Sequence, residues 1–334
     1  MKEIGSEFWD VSPLCDTENN IFPSKTQWYL SGRTALSAII QDLRGVKSVA
    51  LPSWCCESII KPFIDADIKV LFYPVIFDKK LIQTPRLDCD AILIMDYFGY
   101  TNPIIDLGDY KGVVVRDLTH SIFSKKYSDS DYYFGSLRKW CGVYTGGYAW
   151  TKDGHKLKEA SNTNEQYIEL RKEAMELKQS YINDAKGQKD AFLTKFAKAE
   201  AILESSYGES TAMALDITSA QKIDIKSMVK IRKENASVLK KNLPSLIMFN
   251  GDAEDCPMFV PIYLDKNKRD GLRRELIKNN IFCPVHWPIS KYHTLKPSEQ
   301  FLYENAISLV CDQRYNAEDM TKIASVVQKY LEAR

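Results

Sequence analysis

The 334-residue sequence predicts an α/β protein: a three-layer sandwich with a mostly parallel mixed sheet, plus a smaller C-terminal α+β domain. Three observations carry this expectation. Short apolar runs such as 91–95 (Ala-Ile-Leu-Ile-Met) and 113–115 (Val-Val-Val) lack polar alternation, as strands buried on both faces do. Stretches with helical apolar spacing separate several of these runs, which is how parallel strands are joined. Past residue 155 the strand signals stop, and a mixed pattern returns only after Pro244.

The elements follow in order. Residues 1–30 read as an irregular lead-in, because Pro13 and Pro23 interrupt any regular element. Leu36, Ile39, Ile40 and Leu43 fall at helical spacing and predict a helix over 34–43. Residues 48–51 predict a short buried strand ended by Pro52, and 59–64 a second helix. Strands are expected at 69–73, 91–95, 113–115, 132–134 and 148–150. The segment of about 155–206 is rich in Lys, Glu, Ala and Leu and reads as long helices with a break near Lys186-Gly187. A helix over 225–241 follows, then a strand at 258–263, a helix at 269–279, strands at 281–286 and 308–311, and a closing helix at 319–331. The expected division is a large domain over 1–225 and a small one over 226–334.

Composition narrows the function. The formal net charge is +1, which gives no electrostatic reason to expect nucleic acid or an anionic membrane as a partner. No apolar run reaches the roughly 20 residues that span a bilayer. The first residues, Met1-Lys2-Glu3-Ile4-Gly5, have no apolar core and do not read as a signal peptide. The 8 cysteines form no CxxC pair and only 4 histidines are present, so no zinc site is expected. Most cysteines lie in apolar segments, which suits reduced thiols in a cytoplasmic protein.

Two strand ends carry candidate chemistry. Asp117 closes the Val-Val-Val-Arg-Asp run, and Lys139 follows the next strand in Ser136-Leu137-Arg138-Lys139. A lysine amine and a carboxylate so placed suit pyridoxal 5'-phosphate (PLP), which needs an amine for its Schiff base and an acid at its ring nitrogen. Ser136 lies three residues before Lys139, so its hydroxyl can face a phosphate while the amine faces an aldehyde. Asp117 alone reads equally as a turn cap, and His120 as a turn residue or a contact near the ring hydroxyl. Gly32, Arg33 and Thr34 open the first helix and offer free N–H groups and a hydroxyl for a phosphate, or an ordinary cap with Ser31. Trp54 is either a stacking aromatic or core. Cys55 and Cys56 raise the idea of a desulfurase, which would need an exposed thiolate.

In this order, the segments resemble the PLP-dependent fold type I aminotransferases, and in detail the DegT-type sugar aminotransferases. Ser31-Gly32-Arg33-Thr34-Ala35-Leu36 looks like that family's SGTxAL phosphate turn. Leu51-Pro52-Ser53, with Ser58 and Pro62-Phe63, looks like the segment leading to the ring-stacking position, where alignment puts Cys56. Asp96-Tyr97-Phe98-Gly99-Tyr100 stands at the HxYGQ-like turn, and Asp117-Leu118-Thr119-His120 looks like the D-A-A-H/Q element. Val285-His286-Trp287-Pro288 resembles VHY-P, and 308–310 with the final helix resemble the closing strand and helix. The chain departs from the family at Trp140, where asparagine is common, at Thr145-Gly146-Gly147, where E-G-G is common, and at Arg33, where a small residue or threonine is usual.

The resemblance implies Lys139 and Asp117 as catalytic residues and PLP held by Gly32, Arg33, Thr34, Cys56, Asp117, His120, Ser136 and Lys139. It implies an amino donor such as glutamate, a nucleotide-linked keto-sugar acceptor for polysaccharide or secondary-metabolite synthesis, and a homodimer with active sites at the interface. Arg314 and residues 181–189 are candidates for completing a partner's site. Two other readings stay open. One is a different PLP reaction such as a lyase. The other is a non-catalytic sensor or scaffold that binds PLP or a sugar nucleotide, which Trp140 and Thr145 favour.

Overall fold

The computed structural model describes residues 3–100, 105–125, 129–184 and 187–333. The chain opens with β1 (Ile4–Gly5) and β2 (Gln27–Tyr29), then α1 (Gly32–Asp42), β3 (Ser48–Pro52), α2 (Glu57–Asp65) and β4 (Lys69–Tyr73). A hairpin of β5 (Val75–Asp78) and β6 (Lys80–Gln83) precedes β7 (Ala91–Met95), β8 (Val113–Asp117), β9 (Tyr132–Ser136) and β10 (Gly147–Thr151). Helices α3 (Glu165–Asp184), α4 (Lys189–Ser205), α5 (Ala214–Gln221) and α6 (Ile225–Asn242) follow. The C-terminal part comprises β11 (Phe259–Tyr263), α7 (Lys266–Lys278), β12 (Ile281–Phe282), α8 (Pro297–Asn305), β13 (Ala306–Val310) and α9 (Ala317–Glu332).

Seven strands form the main sheet in the order β2-β10-β9-β8-β7-β3-β4. The pairs from β9 to β4 are all parallel, and β10 alone runs against its neighbours. The strand order reverses beside β3: β4 lies on one side, while β7 and its successors build outward on the other. Ligands of such sheets bind outside the carboxyl ends of strands near this reversal. The register aligns those ends, with Met95 opposite Asp117 and Asp117 opposite Phe134. Strand β2 runs the same way as the parallel set, so it delivers the start of α1 to the same edge. Close packing there depends on Gly147, where a Cβ would lie 2.1 Å from the Ser31 carbonyl oxygen.

One apolar core surrounds the sheet with α1 and α2 and takes in Leu302 and Tyr303 from α8. A second joins α6, α7 and α9 to β11, β12 and β13. Ile4, fully buried, belongs to this second core, and β1 pairs in parallel with β12. The lead-in expected to be irregular over 1–30 therefore holds two short strands, Ile4–Gly5 and Gln27–Tyr29. Glu3 pairs with Lys189 at 2.5 Å, and Gly142 N–H donates to the Asp10 carbonyl at 2.6 Å. Strands of two or three residues leave no periodic signal, which is why β1 and β2 escape a reading of the sequence.

Other differences are local. The hairpin turns through Lys79 at positive φ, a conformation its type does not advertise. The expected strand over 281–286 is shorter and ends at Phe282, two residues before Pro284. Helix α3 starts later than residue 155. Of the break expected at 186–187, Lys186 lies outside the described residues, and Gly187 has positive φ. No helix among the described residues is long and apolar enough to cross a membrane.

An Ile4→Ala variant tests the role of the N-terminal segment. Removing a fully buried branched side chain costs about 2–5 kcal/mol, whereas an irregular lead-in would lose almost nothing. Urea unfolding of the two proteins measures the difference.

Candidate active site

A cavity of about 230 Å³ opens at the carboxyl edge of the sheet. It gathers Gly32, Arg33, Cys56, Asp117, His120, Ser136 and Lys139 from four separate segments. Of the eight residues expected to hold a cofactor, only Thr34 stands outside it. Its Oγ1 lies 3.0 Å from Ser31 Oγ, and its N–H donates to the same oxygen at 3.2 Å. Ser31 is thus the N-cap of α1, and the first-turn N–H groups beyond it face the cavity with the positive end of the helix.

Lys139 ends a single 3-10 turn, Leu137–Lys139, directly after β9. Leu137 and Trp140 on either side are fully buried, while Lys139 is exposed to the cavity. Among the described residues its Nζ makes no hydrogen bond or ion pair. The Trp140 indole N–H donates to the Thr119 carbonyl at 2.7 Å, tying this turn to the loop that follows β8. Arg138 turns to Glu200 on α4, with which it is ion-paired.

Asp117 is 2% exposed. Its Oδ1 accepts from the Thr119 N–H at 2.8 Å, and among the described residues no lysine, arginine or histidine pairs with it. Burial pushes its carboxyl up to about 6, against the opposing pull of Thr119. Asp96, at the neighbouring strand end, does not join the site. It pairs with buried Arg116 at 3.0 Å and accepts from Ser121 Oγ at 3.1 Å.

His120 is buried and lies nearly parallel to Phe98, with ring centroids 5.0 Å apart, and to Trp287 at 5.8 Å. The Phe98 N–H donates to its Nδ1 at 3.4 Å, which leaves the proton of a neutral ring on Nε2. Burial, and then the charges of His286 and Lys139, hold it well below the usual histidine range, so the ring is neutral. Trp54 is core: it is fully buried, stacks on Tyr97 at 4.9 Å and donates from Nε1 to the His286 carbonyl. Cys56 lines the cavity instead, 2.8 Å from Ser58 Oγ. Burial raises both the Cys55 and Cys56 thiols above their usual value, so neither is a thiolate at neutral pH.

Trp287 also lines the cavity, from beyond β12, and Glu200 and Leu203 reach it from α4. The charged helical segment carried no sequence signal for this role. The Val-His-Trp-Pro stretch did carry one for Trp287. Among the described residues no cluster of His, Cys, Asp or Glu is arranged to hold a metal ion.

A phosphorylated aromatic aldehyde with a basic ring nitrogen fits these groups. The α1 N-terminus and Ser136 answer to an anion, the Asp117 carboxylate, which no cation pairs with among the described residues, to a protonated ring nitrogen, and the free Lys139 amine to a carbonyl.

No family model and no curated protein matches the sequence. Solved structures do match its fold. Spr1654 from Streptococcus pneumoniae, in its PMP form, superposes with a TM-score of 0.63 at 14% identity over 92% of this chain and 88% of its own. PseC of Helicobacter pylori, an aminotransferase involved in the biosynthesis of pseudoaminic acid, gives 0.60 at 14% identity, covering 92% and 87%. The GDP-4-keto-6-deoxymannose-3-dehydratase ColD, with bound GDP-perosamine, gives 0.61 at 14% identity, covering 92% and 89%. The chain has the fold these proteins share.

The pH dependence of stability tests the environment of Asp117. The folded protein keeps this proton at pH values where the unfolded chain, near 3.8, has lost it. The contribution is therefore full below the unfolded value and is lost as pH rises through 6. Cofactor-free Asp117→Asn should be more stable than the parent by up to about 3 kcal/mol at pH ~8. The gap should shrink as pH falls towards ~5. Urea unfolding at both pH values measures it.

Proposed function

We propose that this protein is a PLP-dependent aminotransferase that passes an amino group from a donor such as glutamate to a keto-sugar, the sugar being nucleotide-linked. The observation that carries this reading is the buried Asp117 carboxylate, without a cation beside it, in the same cavity as the unpaired Lys139 amine and the start of α1. The likeness in fold to sugar aminotransferases such as PseC supports it, as does the PLP-form structure of Spr1654.

In this reading Lys139 is the covalent attachment point, and once displaced by the donor it serves as the general base. Its exposure and lack of a competing partner would leave its Nζ free to move a proton to and from the substrate carbon once the group is bound. Asp117 holds the ring nitrogen protonated, and the bound group then supplies an electron sink for the pair left on the substrate carbon. His120 offers its Nε2–H to the ring oxygen. Gly32, Ser136 and the first-turn N–H groups orient the phosphate. Arg33 braces the cradle rather than pairing with phosphate: its guanidinium donates to the Leu203 carbonyl at 2.8 Å and lies over Tyr207. Cys56 and Trp287, which line the same cavity, would flank the ring. Residues 1–225 serve as the cofactor-binding part and 226–334 as the part that closes on substrate. The enzyme works in the cytoplasm as a homodimer.

The departures at Trp140 and Thr145 favoured a non-catalytic sensor, but packing accounts for both. Trp140 is the anchor of the lysine turn. Thr145 donates to Asp216 of α5 through Oγ1 at 2.6 Å and N–H at 2.8 Å, so a carboxylate reaches this turn from another element. The rival PLP reactions are separated by the donor half-reaction.

The absorbance spectrum of the PLP-treated protein tests the proposal. Addition of glutamate should shift the bound-cofactor band, and Lys139→Ala should abolish both the covalent band and the shift. Asp117→Ala should keep some cofactor and slow the shift by on the order of 10²-fold. A protein that takes up PLP but gives no shift with glutamate or other amino acids would favour the sensor reading.

A further inference from the structure

A second cavity, of about 330 Å³, also reaches Lys139. Arg138 and Lys139 line both. The N-terminal segment supplies one wall through Glu7. The C-terminal part supplies the other through Arg232, Arg273, Asp312 and Arg314.

The charges on these walls are unequally matched. Asp312 is committed to Arg314, accepting from its Nε at 2.9 Å and its Nη2 at 2.8 Å, and the same guanidinium donates to the Glu7 and Ser6 carbonyls. Glu7 pairs with Arg171 at 3.3 Å. Arg138 has Glu200. Arg232 is fully buried, yet it donates only to neutral acceptors: Gln313 Oε1 at 2.8 Å and the carbonyls of Pro257, Met258 and Trp140. Arg273 on α7 is exposed, and among the described residues it makes no hydrogen bond or ion pair. Ile277, one turn further along α7, lines the same wall. The cavity thus holds a buried cation without a carboxylate of its own and a second, free guanidinium. An arginine fork so placed suits a carboxylate or a phosphate, which it binds through two parallel N–H donors.

We propose that this second cavity is the substrate chamber, and that Arg273 holds the anionic end of a substrate whose reacting carbon lies at Lys139. Arg232, held in the same wall by neutral acceptors, contributes a fixed positive field. This inference rests on the reading of Lys139 as the reacting amine. Arg314 is excluded from the role because both of its faces are already engaged. The anionic end is a carboxylate if it belongs to the donor and a phosphate if it belongs to a nucleotide-linked acceptor.

Calorimetric titration of the PLP-treated protein with 2-oxoglutarate and, separately, with inorganic pyrophosphate tests this at low salt. The parent protein should bind at least one probe, and Arg273→Gln should weaken that binding by about tenfold or more. Which probe responds identifies the source of the anion. The variant changes an exposed side chain, and its melting temperature serves as the check on folding. Parent protein that binds neither probe, or a folded variant that binds as the parent does, would overturn the inference. PLP uptake is read in the same samples. Failure of the cofactor reading therefore shows as absent PLP binding, while failure of this inference shows as probe affinity indifferent to Arg273.

Discussion

Asp117 is a carboxylate held dry with no cation beside it, and much of the chain is arranged around that cost. Its neighbour on β8, Arg116, points to the opposite face of the sheet, as alternate strand residues do. There its charge is taken up by Asp96. The one cation that strand order places next to Asp117 is therefore unavailable to it. Only the Thr119 backbone and side chain soften the burial. A group left in this condition is stabilised when a positively charged ligand arrives, and that gain is what the site has to offer a protonated heterocycle.

The amine proposed to meet the same ligand is held by different means. Lys139 is exposed, and its position comes from its neighbours rather than from bonds of its own. Leu137 N–H donates to the Gly146 carbonyl at 2.9 Å, and Trp140 reaches across to the Thr119 carbonyl. Thr119 thus serves both groups, bracing the Asp117 carboxylate with its N–H and the lysine turn with its C=O. The far side of Trp140 carries the Arg232 guanidinium at 4.6 Å, and its carbonyl accepts from Gln313 at 2.7 Å. The lysine turn is therefore fastened to the sheet on one side and to the C-terminal part on the other. Substitution of a large buried aromatic at position 140 makes sense in a chain that uses it as this fastening.

The sheet and the two central site residues were legible because their signals are local. Apolar runs without alternation marked β7 and β8, and a polar residue ending each marked the ligand edge. What escaped depends on distant contacts. Strands β1 and β2 are too short to show a period, and each is held by a partner far along the chain, Ile281 and Tyr148 among them. Thr34 sits in a phosphate-turn motif, but the Ser31 cap takes its hydroxyl, and no sequence spacing distinguishes the two outcomes. Trp54 and Cys56 are two residues apart. Their fates divided only when the Tyr97 ring and the His286 carbonyl claimed the indole. Glu200 and Leu203 reached the cavity from a helix whose charges looked like an ordinary solvated face.

One amine, that of Lys139, is the proposed covalent attachment point of the cofactor. Borohydride reduction of the PLP-treated protein, followed by peptide mass spectrometry, tests it most directly. A single pyridoxyl modification is expected on the peptide that contains Lys139, with the other lysines unmodified. Modification of a different lysine, or none at all, would contradict it.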